Sequence, residues 1–205
     1  AKKFLGSDYY VYGTTLNGGA EFSDKNLHVL KLDLRSEENI DSVAGSFINE
    51  NVIFDIVINN AGVILDKEET KVDILKLRET LEVNLIGTIS LTEKILQNVV
   101  EGGKVCFISS SSGSLSRTGD TSAHSPNHYP AYKISKCAIN MYMRTLSLRE
   151  KGKIISSVHP GRVQTKITNF EGDMSPEDSA EQIFNFLTSN TESGYMWFEG
   201  GKMDW

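Results

Sequence analysis

The stretch HYPAYKISK, residues 128–136, places a lysine four residues after a tyrosine twice: Lys133 after Tyr129 and Lys136 after Tyr132. One helical turn brings such a pair onto one face. An ammonium beside a phenol favours the phenolate and lowers a pKa that is otherwise about 10. A phenol tuned in this way can give a proton to a developing alkoxide or take one from an alcohol. Taken alone, either pair reads as a surface contact. Pro130 separates them, because proline suits the first turn of a helix and not its interior. Tyr129 is therefore expected outside the helix and out of reach of a reacting oxygen, with its lysine spacing a coincidence in a chain of 7 tyrosines. Tyr132 and Lys136 fall inside the run that continues through CAINMYMRTLSL and share a face.

The elements that must position this pair are legible as an alternation. YYVYGTT (9–15), LHVLKL (27–32), IFDIVI (53–58), KVCFIS (104–109), IISSVH (154–159) and YMWF (195–198) read as strands. Several are apolar on both parities, as in parallel strands covered on two faces. Between them, Ile40, Val43 and Phe47 recur at helical spacing after a Ser36 cap. Ile74, Leu77, Leu81 and Leu85 mark one long helix running to about Val99. A helix is expected from near Tyr132 to before Gly152, and another from Ser175 and Pro176. This pattern predicts an α/β fold, a doubly wound, Rossmann-like parallel sheet in one domain over residues 1–205. Ligands bind such sheets beyond the carboxyl ends of the strands. There the chain carries NNAG (59–62), a serine cluster from 109, and HPGRVQT (159–165). The polar segment 109–128 lies between a core strand and a core helix, where long loops wall or cover active sites.

Composition narrows the function. A net charge of −6 and a pI near 5.3 argue against a nucleic-acid or anionic-membrane binder. No apolar run is long enough to span a bilayer. Two cysteines, Cys106 and Cys137, make no disulfide framework and suit small buried groups in a reducing cytoplasm. His124 and His128 have the spacing of helical metal ligands, but Pro126 stands between them and carboxylate or cysteine partners are missing, so no metal site is expected. His159, before Pro-Gly, reads as structural.

NNAG, the Asn84 of LEVNLIGT, ISS (108–110), YKISK (132–136) and HPGRVQT occur in an order that resembles the classical short-chain dehydrogenase/reductase family. The serine loop and the ending FEGGKMDW are most similar to its carbonyl-reductase branch of C-factor and sniffer type. The resemblance implies Tyr132 as general acid/base, with Lys136 lowering its pKa and holding the nicotinamide ribose. It implies Ser110 as the group that positions the substrate oxygen, and Asn84 as support for a proton relay to Lys136 through water. It further implies that Asp33 contacts adenine and that Asn59, Asn60, Ala61 and Gly62 border the adenosine ribose. Val163 and Thr165 would meet the nicotinamide carboxamide and phosphate region. In relatives the helices near 70–99 and 132–150 pair across a two-fold axis, which implies a homodimer.

One departure concerns the family's opening strand and glycine-rich turn, which cradle the pyrophosphate at a helix N-terminus. Neither is present; AKKFLG reads as the tail of the first helix. The absent strand would lie between those at 9–15 and 53–58, so the sequence is expected to lack a native N-terminal segment. At the end of the 9–15 strand stand Leu16 and Asn17, with no acid before Glu21. An acid there would accept the ribose 2′-OH of NAD; without one, NADP is expected in preference to NAD. The expected activity is interconversion of a small-molecule carbonyl and alcohol. The alternatives are a non-catalytic dinucleotide-binding sensor on the same fold and a nucleotide-sugar epimerase, which normally needs a larger C-terminal substrate region.

Overall fold

The computed structural model describes residues 1–118 and 128–205. A short helix α1 (Lys2–Leu5) precedes two strands, β1 (Val11–Thr15) and β2 (Leu27–Lys31), and helix α2 (Glu37–Asn49). Strand β3 (Phe54–Asn59) leads to helices α3 (Ile74–Leu81) and α4 (Thr88–Ile95), and then to β4 (Val99–Ile108). The chain continues through α5 (Pro130–Arg149), β5 (Ile154–Val158), α6 (Pro176–Ser189), β6 (Met196–Phe198) and β7 (Gly201–Met203).

Strands β3, β4, β5 and β6 pair in parallel, with β7 antiparallel on β6. The final hairpin goes beyond the sequence expectation. It turns on Glu199 and Gly200, whose positive φ values of 49° and 79° match the twist of the strands it joins. Strands β1 and β2 form a separate parallel ladder. Among the described residues no backbone pairing joins β1 to β3, the interval in which the sequence places the absent strand. Side chains span that interval: the Tyr12 and Phe54 rings meet edge to face with centroids 6.0 Å apart. The loop after β2 also docks on the helical layer at Gly87, where a Cβ would stand 1.9 Å from the Leu34 carbonyl oxygen.

Alternation along β4 explains the two-sided burial. Val105 and Phe107 pack with Ile139, Met143 and Leu146 of α5, whereas Cys106 and Ile108 face Leu187 and Trp197 across the sheet. A third cluster places Ile40, Val43 and Phe47 of α2 against the strands on that side. Local side-chain caps set the starts of α2, α3 and α6. Ser36 accepts the Asn39 amide, Asp73 those of Leu75 and Lys76, and Ser175 that of Asp178. The long helix expected to reach about Val99 is interrupted. Between α3 and α4, residues Glu82–Gly87 form one widened, π-helical turn, and Val99 already begins β4. No helix among the described residues is long and apolar enough to cross a membrane.

Candidate active site

The carboxyl ends of β3, β4 and β5 deliver the loops that surround Tyr132. At β3, Asn59 closes the strand with its side-chain nitrogen Nδ2 buried and without a hydrogen-bond partner among the described residues. Asn60 and Ala61 are exposed and Gly62 is half-buried. A Cβ on Gly62 would lie 3.5 Å from Asn84 Oδ1 and 3.6 Å from Lys136 Nζ, so the backbone at this point faces both groups. The widened turn that carries Asn84 matters here, since such turns redirect side chains at functional sites. Asn84 is buried; its Oδ1 accepts the Val63 amide at 2.8 Å, and its Nδ2 donates to Val63 O at 2.9 Å and Ser135 Oγ at 3.0 Å.

At β4, Ser110 starts a single tight turn, Ser111–Gly113, by accepting the Ser112 amide at 3.1 Å. Its hydroxyl also hydrogen-bonds the Tyr132 phenol. Gly113 permits this arrangement. A Cβ there would fall 2.6 Å from the Lys136 carbonyl carbon, so the serine turn lies directly on α5. Farther along, Ser114 Oγ donates to Asp204 O at 2.8 Å and the Ser116 amide to Trp205 O at 2.7 Å, which ties this loop to the terminal residues. The rest of the expected loop, 119–127 with His124, lies outside the described residues.

On α5, Lys136 is buried and donates from Nζ to Ile108 O at 2.7 Å, with Nζ 5.6 Å from the centre of the Tyr132 ring. Burial pushes its ammonium down to about 8. Burial likewise pushes the Tyr132 phenol up to about 12, with the Ser110 hydrogen bond opposing the rise. The phenol therefore stands above its ordinary value, with burial as the largest cause. Removing both groups from water penalises each charged form.

The second Tyr/Lys pair is also corrected. Tyr129 lies outside the helix, as Pro130 requires, but it stays beside the site. Its ring centroid is 6.2 Å from that of Tyr132, and its hydroxyl hydrogen-bonds Ser112. Lys133 Nζ sits 4.8 Å over the Tyr129 ring, so the spacing read as coincidence is a cation–π contact.

The remaining expected residues are held by contacts of their own. Val163 bridges Met174, and Thr165 caps the short turn Lys166–Thr168. Lys67, from the loop after β3, reaches that turn through Lys166 O at 3.1 Å and Asn169 Oδ1 at 2.8 Å. Asp33 lies just past β2, but Arg35 grips its carboxylate through two bonds of 2.9 and 2.8 Å, which holds it ionised down to about 2. His159 sits with Nε2 3.4 Å from Ser111 Oγ and its ring against Phe198. Sequence reasoning passed over Asp66 and Gly113. Asp66 reads as one of several acids in VILDKEET, and Gly113 as one small residue in a serine run.

Comparison with known proteins gives the family and the fold. The profile of the family described as short chain dehydrogenase matches residues 17–176. The chain is 29% identical to 1-hydroxy-2-glutathionyl-2-methyl-3-butene dehydrogenase of Rhodococcus sp. (strain AD45), over 98% of this chain and 85% of that protein. The NADPH-bound carbonyl reductase from chicken fatty liver superposes with a TM-score of 0.86 at 21% identity, covering 100% of this chain and 88% of the other. The carbonyl reductase Sniffer of D. melanogaster gives 0.78 at 23% identity, covering 89% and 79%. At these identities the structural likeness is one of fold.

Proposed function

Since the chain belongs to the short-chain dehydrogenase family of oxidoreductases, we propose that it is an NADP-dependent reductase of small-molecule carbonyls, with Tyr132 as the proton donor. The observation that carries this reading is the convergence of the Ser110 hydroxyl on the Tyr132 phenol, with the Lys136 ammonium held at Ile108 O beside Gly62. The nicotinamide cofactor, when bound, supplies the hydride for the carbonyl carbon. Tyr132, raised to about 12, is fully protonated at neutral pH and so is loaded to give its proton to the carbonyl oxygen. Ser110 orients that oxygen. Lys136 offers positive charge to the phenolate that remains, and Asn84 supports proton return toward Lys136.

The residues at the strand ends fit the cofactor. The buried Asn59 Nδ2, without a partner among the described residues, is a donor suited to an acceptor, and Asn60, Ala61 and Gly62 leave the backbone open for close approach. Lys136 would hold the nicotinamide ribose, and Val163 and Thr165 would border the carboxamide and phosphates. Asp33 would meet adenine only at the edge of its Arg35 pair. NADP is favoured over NAD because Leu16 and Asn17 end β1 and no carboxylate occurs before Glu21. In addition Lys31 stands opposite Thr15 in the ladder, with its stem 3.2 Å from where a Gly18 Cβ would be. A cation there suits a 2′-phosphate. The free thiols Cys106 and Cys137 support a cytoplasmic location, and exposed apolar residues on α3 and α5 support a homodimer.

Fluorescence titration of the full chain with NADPH and NADH, followed by NADPH oxidation with a panel of aldehydes and ketones, tests this reading. Tighter NADPH binding with turnover of at least one carbonyl is expected. Binding without turnover across the panel would favour a dinucleotide-sensing protein, and no binding would overturn the cofactor assignment.

A further inference from the structure

We propose that Asp66 is a positioning residue for carbonyl reduction. From the loop after β3 it holds the first turn of α5, and with it Tyr132, in place against Ser110 and Lys136. The inference rests on the reading of Tyr132 as proton donor.

Helix α5 begins abnormally. The residue before it, Tyr129, has a left-handed backbone with φ 47° and ψ 54°, and its side chain caps nothing. A positive φ is costly for a bulky aromatic residue and persists only where the surroundings impose it. Helices α2, α3 and α6 are each capped by the residue just before them, namely Ser36, Asp73 and Ser175. Pro130 has no amide hydrogen, so the first donor of α5 is the Ala131 amide. Its acceptor is Asp66 Oδ2, at 2.6 Å and 65 residues away in sequence. The residue immediately after that amide is Tyr132.

Asp66 is only 1% exposed, and its second oxygen, Oδ1, is buried without a hydrogen-bond partner among the described residues. A serine at the position of Tyr129 could cap the helix without burying a carboxylate. The distant cap leaves position 129 to an aromatic whose hydroxyl reaches Ser112 in the serine turn. The partial positive charge at the helix start favours a carboxylate at this position.

The grip continues along the same loop. The Tyr129 amide donates to Glu69 O at 2.9 Å. At the other end, Val63 is bonded twice to Asn84, whose Nδ2 reaches Ser135 one turn into α5, and Ser135 Oγ in turn donates to Tyr132 O at 2.7 Å. Residues 63–69 therefore hold α5 on both sides of Tyr132. They continue directly from Asn59–Gly62, so the loop proposed to carry the cofactor also sets the phenol.

Asp66→Ala, Asp66→Asn and Asp66→Glu in the full chain test this. Asp66→Ala should lower kcat about 10- to 100-fold, the loss expected of a misplaced reacting group, while the NADPH dissociation constant stays within about twofold. Backbone hydrogen exchange across residues 129–135 should quicken. Asp66→Asn should restore most of kcat, because its amide oxygen accepts the same Ala131 N–H. Asp66→Glu keeps the charge but displaces the acceptor by a methylene, and should be slow though folded. If Asp66→Ala does not fold, the Asn and Glu variants decide alone. Parental kcat in Asp66→Ala or Asp66→Glu would overturn the proposal, as would an Asn variant as slow as Ala, or NADPH affinity falling in step with kcat. Absence of turnover in the parent protein would sink the reductase reading instead, and the exchange rates would still show whether Asp66 holds this turn.

Discussion

Tyr132 and Tyr129 are three residues apart, each hydrogen-bonded to its own serine and each within reach of its own lysine, yet they should differ sharply in consequence. Tyr132→Phe removes the proton donor and keeps the ring, so kcat should fall by about 10²–10⁴-fold with NADPH binding largely retained. Tyr129→Phe loses only the bond to Ser112 and should cost much less in steady-state kinetics; the reverse ranking would show that the proton donor is misassigned. Lys136 makes a separate prediction about stability. Its pKa in the fold, about 8, lies below the 10.5 of an exposed lysine. Below pH 8 the fold bears the full penalty of burying the ammonium. Between about 8 and 10.5 the folded lysine has lost its proton while the unfolded one keeps it, so stability rises with pH across that window. Lys136→Met should accordingly be more stable than the parent in urea denaturation at pH 7, and the difference should shrink as pH rises through the window. A difference that grows with pH would contradict the burial argument.

At the scale of elements, the site depends on how closely the turn after β4 lies on α5. Gly113 sets that distance, since any Cβ would meet the backbone of Lys136. Gly113→Ala should force the turn and helix apart, destabilising the fold by about 1–3 kcal/mol, as overpacking does. It should also lower kcat, because Ser110 and Lys136 sit on the two parts being separated. Thermal denaturation paired with kinetics checks both, and an alanine variant with parental melting temperature and rate would refute the close approach. The widened turn at Glu82–Gly87 illustrates the same dependence. Apolar spacing from Ile74 to Leu85 reads as continuous helix, because one extra residue in one turn leaves most of the periodicity intact. What marks the turn is the long-range engagement of Asn84 with Val63 and Ser135.

For the whole molecule, the outer faces of the helical layer are conspicuously apolar. Met141 and Leu148, seven residues apart on α5, are 68% and 54% exposed, and Ile74 and Leu75 of α3 and Ile86 beyond it are exposed as well. Residues seven apart share a helix face, so these side chains suit a two-fold contact between copies. A homodimer is expected by light scattering at micromolar concentration, and Met141→Glu with Leu148→Glu should convert it to monomer while retaining the fold. A parent protein that is monomeric under those conditions would exclude this interface.

Much of the architecture was present in the sequence because its causes are local. Strand parity, helical spacing, the Ser36 and Ser175 caps and the exclusion of Tyr129 from α5 by Pro130 each depend on neighbouring residues alone. The order of NNAG, Asn84, the serine cluster, Tyr132 and Lys136 pointed to one crevice because strand ends in a parallel sheet converge on one edge. The tertiary structure decided whatever depended on distance and burial. Whether Lys136 lowers Tyr132 is a contest between charge and desolvation, and burial cannot be read from a spacing of four residues. Tyr129 stays beside the site because Ser112 and the loop at Glu69 hold it there, both remote in sequence. Asp66 carries no local signal among the acids of VILDKEET; only the fold brings its carboxylate across 65 residues to the amide before Tyr132.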